Sequence, residues 1–146
     1  MINFFGIIFN NLEGINNSMK HKGQNKWGTL KNIPKRPGVY FVKKEDEILY
    51  IGQTDNLHRR IGYLCKNSEN LHPVGKDIYE HEDTNILTVG WEIIDIDDFR
   101  NARKKVNIRK IILKAVRQLA AQGKEKRTLQ KYEDTNGRLP KYNKKK

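Results

Sequence analysis

The chain has 146 residues, with 29 Lys and Arg against 17 Asp and Glu, which gives a formal net charge of +12. This length fits one domain of ordinary size and leaves no room for a second one. A balance this basic indicates a polyanionic partner, for which nucleic acid is the commonest candidate and a membrane surface the next. An ordinary soluble basic protein is the alternative. The single cysteine, Cys65, excludes an internal disulfide and a cysteine-rich zinc site, which suits a reducing cytoplasm.

The first segment, residues 1–23, is predicted to be a tail. Its opening residues 1–9 are apolar, but no basic residue precedes them and no small-residue cleavage site follows. The run is also far shorter than the roughly 20 residues that span a bilayer, so we expect neither a signal peptide nor a membrane anchor. Domain-like patterns begin near Trp27. One domain is therefore expected over residues 24–146, and a short element of the tail that packs on it is the alternative.

Two aromatic and β-branched runs predict the first two strands. They are Gly38–Val42 and Ile48–Gly52, and the polar residues between them have nothing to bury, so an antiparallel hairpin with a solvated turn is expected. If the turn centres on Glu45, Tyr40 lies directly opposite Tyr50. The same register pairs Val42 with Ile48 and Lys43 with Glu47. Two phenols on one face of the sheet predict a site there.

A helix is predicted directly after the second strand, with Thr54 or Asp55 as its N-cap. Three apolar residues recur at i, i+4 and i+7 and form its buried stripe. They are Leu57, Ile61 and Leu64. At ~100° per residue, Arg60 falls at the margin of this stripe, whereas Arg59 points almost directly away from it. Arg60 is therefore the arginine that is expected to be positioned at the site.

The middle of the chain predicts a loop and a third strand. Residues 66–84 are polar and carry His72, and they are expected to form a loop over the site with at most one helical turn. A third strand is predicted from Ile86 to Ile94, because every second residue is a large apolar one. These apolar residues, which would share one face of the strand, are Leu87, Val89, Trp91 and Ile93.

A basic amphipathic helix is predicted from Asn101 to Ala121, because apolar residues recur there with helical period and no acid interrupts the cations. Gly123 is expected to end or kink this helix, and a further short helix is expected from Glu125 to Glu133, stopped by Asn136-Gly137. The cations that we expect to bind phosphates are Lys104, Lys105, Arg109, Lys110 and Lys114.

These signals, in this order, resemble the GIY-YIG nuclease family. The two tripeptides that name the family correspond to Gly38-Val39-Tyr40 and Tyr50-Ile51-Gly52. An arginine follows on the next helix at Arg60, and a late Pro-x-x-Asn runs from Pro140 to Asn143, so the resemblance covers about residues 27 to 146. It implies an α/β fold of the α+β type, with a small three-stranded antiparallel sheet flanked by helices in a single domain. It also implies DNA cleavage with one divalent metal, usually Mg²⁺, or Mn²⁺ in its place.

The resemblance assigns roles to the central residues. Tyr40 would be the general base or water-positioning group, Tyr50 its supporting neighbour, and Arg60 would grip the scissile phosphate. An unperturbed phenol titrates near roughly 10, so Tyr40 can act as a base only where a cation lowers its pKa. Many family members carry Tyr or His four residues after the arginine, where this chain has Leu64. His72 is a candidate to replace that group from the loop.

The residue that would bind the metal is harder to assign from the sequence. The family's glutamate follows the third strand in a pattern that selects Arg109 here, and arginine cannot bind a metal. Counting back from the late Pro-x-x-Asn selects Glu125 instead, with Glu133 as another candidate and a site that has lost its metal as the alternative. Asn143 is expected to tie the site together or to contact nucleic acid, and a C-terminal turn residue is the alternative. Gln53 stands where excision-repair relatives have a lysine.

Two functions follow. The first is a metal-dependent endonuclease that hydrolyses phosphodiester bonds of DNA, and the second is a nucleic-acid-binding module of the same fold whose catalysis has lapsed. A double-strand cut by one active site would require dimerisation or two successive nicks, and the sequence leaves the oligomeric state open.

Overall fold

A computed structural model describes residues 22–94 and 113–144, with the side chains of residues 113–116 outside that description. Within these residues the chain forms an antiparallel sheet and three α-helices. The strands are β1 (Lys22–Lys26), β2 (Gly38–Lys44), β3 (Glu47–Thr54) and β4 (Leu87–Ile93). The helices are α1 (Leu57–Leu64), α2 (Pro73–His81) and α3 (Leu113–Asn136), and a short 3-10 turn (Thr84–Ile86) precedes β4. The predicted α+β fold is confirmed, and no helix in the described ranges is long and apolar enough to cross a membrane.

The sheet has four strands in the order β1-β4-β2-β3, not the three that were predicted. The additional strand β1 has the polar sequence KGQNK, which lacks the apolar alternation of a half-buried strand. It forms because it pairs with β4, with Gly23 opposite Trp91 and Lys22 opposite Glu92. A Cβ on Gly23 would lie 2.6 Å from Cε2 of Trp91, so only glycine leaves room for the indole. Lys22 and Gly23, which were predicted to belong to the tail, are thus part of β1, and the assignment of residues 1–21 stays a prediction because they lie outside the described ranges.

The register predicted for the β2–β3 hairpin is wrong. Lys44 pairs with Glu47, so the turn consists of Glu45 and Asp46 alone, and Glu45 adopts a left-handed φ of 54°. An irregularity between Val42 and Lys43 then shifts the register by one residue. A bulge of this kind sets two residues of one strand against one of its partner. As a result Tyr40 pairs with Gly52 and Val42 with Tyr50, while Lys43 pairs with Ile48. The two phenols are therefore diagonal neighbours on one face.

Two helical predictions around the site also need correction. The N-cap of α1 is Asn56, whose side chain accepts the Arg59 N–H at 3.0 Å, and not Thr54 or Asp55. Thr54 instead supports that cap, since its Oγ1 accepts the Asn56 N–H at 3.0 Å. The predicted loop over residues 66–84 contains the nine-residue helix α2, which has Pro73 in its first turn. The buried stripe of α1, by contrast, is confirmed. It consists of Leu57, Ile61 and Leu64.

Helix α3 continues through Gly123, where the sequence predicted an end or a kink. Glycine inside a helix costs about 1 kcal/mol relative to alanine, and tertiary packing overrides that preference here. Ala120 and Ala121 are buried on one side of Gly123, and Tyr132 is buried farther along the helix. The helix ends at Asn136, and Gly137 follows with a φ of 71°, as the Asn-Gly signal predicted.

The predicted basic helix lies mostly outside the described residues. Lys104, Lys105, Arg109 and Lys110 belong to residues 95–112, and only the backbone of Lys114 is described, in the first turn of α3. Their contact with phosphates stays a prediction.

The sheet buries a cluster of apolar side chains on each face. One cluster joins Tyr40, Val42 and Trp91 to the apolar stripe of α1 and to Ile78 of α2. The other joins Val39, Phe41 and Ile51 to Tyr132 of α3. Strand β3 is the outer strand of the sheet on this side, and α3 lies against it. Residues of β2, β3, α1 and α3 therefore meet beside the edge of β3.

Candidate active site

Tyr40 occupies the centre of the site and is 1% exposed. Its cross-strand partner is Gly52, the glycine of the second tripeptide. A Cβ on Gly52 would overlap the Tyr40 ring and would lie 2.8 Å from Cε1 of Tyr50. The absent side chain therefore makes room for both phenols, whose ring centroids are 5.9 Å apart. Gly52 of the second tripeptide is therefore required by the packing of the two phenol rings.

Three predicted site residues meet at the Tyr40 hydroxyl. His72 Nε2 lies 2.8 Å from Tyr40 Oη, and Arg60 Nε donates to the same oxygen over 3.4 Å. Arg60 is held on its other side, because its Nη1 donates to the Leu71 carbonyl oxygen at 3.2 Å. Tyr50 closes the group, with its ring centroid 5.8 Å from that of His72. The structure thus brings together Tyr40, Tyr50, Arg60 and His72.

The side chain of Arg59 is directed away from the Tyr40 hydroxyl. Its Nη2 is 2.6 Å from Oδ1 of Asp55, and its side chain is 50% exposed. The two adjacent arginines therefore differ as the helical wheel of α1 predicted, with Arg60 directed at the phenols and Arg59 at solvent.

His72 reaches the site as the N-cap of α2. Its Nδ1 accepts the backbone N–H of Gly75 at 3.0 Å, and Pro73 fits the first turn because proline lacks an N–H that would need a partner. Gly75 is packed against the carbonyl oxygen of Leu64, where a Cβ would overlap it. This contact sets α2 close to the end of α1. The His-Pro-Val-Gly sequence is therefore a helix start that presents a histidine, although its composition resembles a loop.

Burial and the neighbouring charges keep the side chains of Tyr40, Tyr50 and His72 neutral in the protein without a ligand. Burial raises the pKa of the Tyr40 phenol well above its usual value, the neighbouring Tyr50 adds to this rise, and Arg60 opposes it. Burial also raises the pKa of Tyr50. For His72, burial and then the Arg60 charge lower the pKa to about 4, so the imidazole is uncharged at neutral pH. Tyr40 can act as a base only if its pKa is lowered, and Arg60 alone does not lower it below its usual value.

A cleft of about 1200 Å³ opens beside these residues. Its sheet wall is formed by Tyr40, Tyr50, Gln53 and Arg60, and its helix wall by residues of α3. The helix wall consists of Gln122, Glu125, Lys126, Leu129, Gln130 and Glu133. Asp77 of α2 and residues of the C-terminal segment complete the lining. The sheet wall and the helix wall therefore line one common space.

Glu125 lies at the cleft with the phenols, and its negative charge contributes to the raised pKa of Tyr50. Glu133 lines the same cleft two helical turns farther on. The described residues contain no group of three or more His, Cys, Asp or Glu that could hold a metal by themselves. Mg²⁺ needs only one or two protein carboxylates beside water and phosphate oxygens, so the donor set fits this ion. Glu125 and Glu133 both remain candidates for the ligand.

Asn143 ties the C-terminal segment to the edge of the sheet. Its Oδ1 accepts the Ile51 N–H and its Nδ2 donates to the Ile51 carbonyl oxygen, both at 2.8 Å. One residue earlier, the Tyr142 N–H donates to the Leu49 carbonyl oxygen at 2.8 Å. Both polar atoms of the Asn143 amide are thus engaged with β3, and its backbone N–H also donates to the Pro140 carbonyl oxygen at 2.9 Å, so Asn143 is a turn residue as well. Its contact with nucleic acid stays a prediction.

Two residues of the cleft, Gln53 and Asp77, were not predicted from the sequence as site residues. Gln53 was noted only as a replaced lysine, yet its Oε1 is buried without a hydrogen-bond partner among the described residues and Gln53 lines the cleft. Asp77 was missed because its segment was predicted to be a loop. The His-Pro start of α2 and the apolar Val74 and Ile78 four residues apart were the signals that could have revealed it.

Comparison with known proteins relates part of the chain to a single kind of protein. Over 40 residues the chain is 52% identical to UvrABC system protein C of Neisseria meningitidis. This match covers 26% of this chain and 6% of that protein. It is 38% identical over 53 residues to the same-named protein of Alkaliphilus metalliredigens, covering 36% and 8%. The match in Carboxydothermus hydrogenoformans is 32% identical over 69 residues, covering 46% and 11%.

The chain therefore corresponds to only about a tenth of the length of these curated relatives, or less. No family model matches the chain, and no solved structure matches it significantly.

Proposed function

We propose that this domain is a metal-dependent endonuclease of the GIY-YIG type that hydrolyses phosphodiester bonds of DNA. The observation that carries the proposal is the convergence of Tyr40, His72 and Arg60 at one hydroxyl, beside a cleft that also contains Glu125. The partial similarity to UvrABC system protein C supports the same family and points to its excision-repair members. The net charge of +12 supports a polyanionic substrate.

The residues divide the work of hydrolysis. Tyr40 orients the attacking water through its hydroxyl, and it accepts a proton only when positive charge enters the cleft and lowers its pKa. Arg60, fixed by Leu71, stabilises the charge that develops on the scissile phosphate. Tyr50 supports Tyr40 from the solvent side of the site. Glu125 would hold Mg²⁺ or Mn²⁺, which when bound supplies positive charge to the phosphate and its leaving oxygen.

A lapsed, DNA-binding module is the second candidate function. It is favoured by Arg109, which stands where the family pattern places a glutamate, and by Leu64, which stands where many members have Tyr or His. Both candidates predict binding to nucleic acid, and only the first predicts cleavage.

The deciding experiment incubates the purified full chain with supercoiled plasmid and Mg²⁺ or Mn²⁺, with EDTA as the metal-free control. The endonuclease is expected to convert the plasmid to nicked or linear forms only with metal. In parallel, a gel-shift titration in EDTA is expected to show affinity that falls by roughly 0.9 log unit per log unit of salt for each phosphate neutralised. Salt-dependent binding without cleavage by any divalent ion would select the lapsed module, and a flat salt response without cleavage would reject both.

A further inference from the structure

Both ring nitrogens of His72 are already engaged in the protein. Nδ1 lies 3.0 Å from the backbone nitrogen of Gly75, and Nε2 lies 2.8 Å from Tyr40 Oη. The Gly75 N–H can only donate, so Nδ1 must offer its lone pair and carry no hydrogen. The imidazole is fully buried, with 0% exposure. The one hydrogen of the neutral ring therefore sits on Nε2, and Nε2 donates to the Tyr40 oxygen.

Arg60 restricts the Tyr40 hydroxyl further. Its Nε can only donate, and it also points to Tyr40 Oη. The phenol oxygen thus receives two hydrogen bonds, and its own hydrogen must be directed to a third partner. Tyr40 and Tyr50 both line the cleft, with their ring centroids 5.9 Å apart, so that third partner is a group in the cleft. A proton that leaves Tyr40 therefore cannot pass to His72, which has no lone pair left to receive it, and must leave toward the cleft.

We propose that His72 is a tautomer-locked donor: the N-terminus of α2 fixes its hydrogen on Nε2, so that it positions Tyr40 and stabilises the phenolate, and it never acts as the base. Its catalytic consequence rests on the proposed nuclease function, whereas its donor geometry does not. The charged imidazolium is disfavoured as well, because a second ring hydrogen would face the Gly75 N–H and because Arg60 adds positive charge nearby. Burial and Arg60 lower the pKa of His72 to about 4, in agreement with a neutral ring.

The tautomer is measured directly by ¹⁵N NMR of the imidazole side chains at pH 7. The chain has four histidines, so the signals of His72 are assigned by their absence in His72→Asn. The expected spectrum has a protonated Nε2 and an unprotonated Nδ1, and Tyr40→Phe should shift the Nε2 resonance because it removes the acceptor. A protonated Nδ1, an imidazolium, or an Nε2 unaffected by Tyr40→Phe would overturn the proposal.

The catalytic part is tested with His72→Asn. Asparagine is a favourable N-cap, so it can still accept the Gly75 N–H, but its short amide cannot extend to Tyr40. We expect a smaller loss of thermal stability than in His72→Ala, because the cap is kept although a buried ring is lost, plasmid cleavage lowered about 10- to 100-fold, and the apparent pKa of the pH–rate profile moved upward. His72→Ala, which also removes the cap, should lose stability in addition.

The outcomes separate the two proposals. Cleavage by His72→Asn at the wild-type rate and with the wild-type pH profile would reject the role in positioning Tyr40. If the wild type itself cuts no DNA with any divalent ion, the proposed function fails, and the NMR spectrum still confirms or rejects the locked tautomer.

Discussion

The sheet wall and the helix wall of the cleft hold their side chains in different ways. On the sheet wall, Tyr40 is buried, and its hydroxyl bonds to the buried His72, whose other ring nitrogen bonds to the backbone of Gly75. On the helix wall, Glu125 and Glu133 are partly exposed carboxylates at the surface of α3. The first wall is organised before any ligand arrives, whereas the two carboxylates of the second wall are more exposed to solvent. If the proposed function is correct, the sheet wall would fix the geometry of the reaction and the helix wall would supply the ligand of the metal.

The largest effect is expected on the helix wall. Glu125→Gln keeps the size of the side chain and removes its charge, so metal-dependent cleavage should fall to the metal-free background. Binding of DNA in EDTA should be retained or slightly strengthened, because one negative charge is lost. Plasmid nicking and gel shifts measure the two effects.

Glu133→Gln is the matched control for this substitution, since it lines the same cleft on the same helix and is expected to cut normally. If Glu133→Gln is inactive and Glu125→Gln cuts, the metal ligand has been assigned to the wrong glutamate.

On the sheet wall, Tyr40→Phe and Arg60→Ala should each lower the cleavage rate by about 100-fold or more, the scale of acid–base and electrostatic groups. Tyr40→Phe keeps the ring that packs over Gly52 and removes only the hydroxyl at which His72 and Arg60 meet. Single-turnover cleavage rates measure both losses, and circular dichroism checks the fold.

Arg59→Ala provides the comparison within α1, because Arg59 bonds Asp55 at the surface. It should leave the cleavage rate close to that of the wild type. Equal losses for Arg59→Ala and Arg60→Ala would contradict the orientation of α1 relative to the phenols.

The smallest effect on the chemistry is expected where the C-terminal segment joins the sheet. Asn143→Ala removes two hydrogen bonds to Ile51, so the free energy of unfolding should fall by about 1–3 kcal/mol while cleavage per folded molecule changes little. Urea unfolding measures the loss. Lys144→Ala, an exposed neighbour, should stay within about 0.5 kcal/mol of the wild type. Unchanged stability with weakened DNA binding would instead support a nucleic-acid contact by Asn143.

The sheet wall could be predicted from the sequence because its signals are local. Aromatic strands and the stripe of α1 identified Tyr40, Tyr50 and Arg60 and brought them to one place. The register of the hairpin could not be predicted, since it depends on the left-handed Glu45 and on the irregularity at Val42, for which the residues themselves give no pattern.

The helix wall required tertiary information. Gly123 signals a helix end by its own preference, yet α3 is continuous through it, with Ala121 and Tyr132 buried on either side. Strand β1 is polar and forms only because β4 offers it a partner. Helix α2 was hidden because Pro73 and Gly75 have the composition of a loop, although one starts the helix and the other allows it to contact Leu64.

The bonds from Tyr142 and Asn143 to β3 have a consequence for solubility. An outer strand with open N–H and C=O groups is a template on which a second chain can add, and proteins protect such edges to avoid aggregation. Here the Leu49 carbonyl and both backbone groups of Ile51 are occupied by the chain's own C-terminal segment. A chain shortened before Pro140 would expose these groups beside the apolar residues of β3. Self-association through this edge would then compete with folding, even though every residue of the sheet wall would still be present.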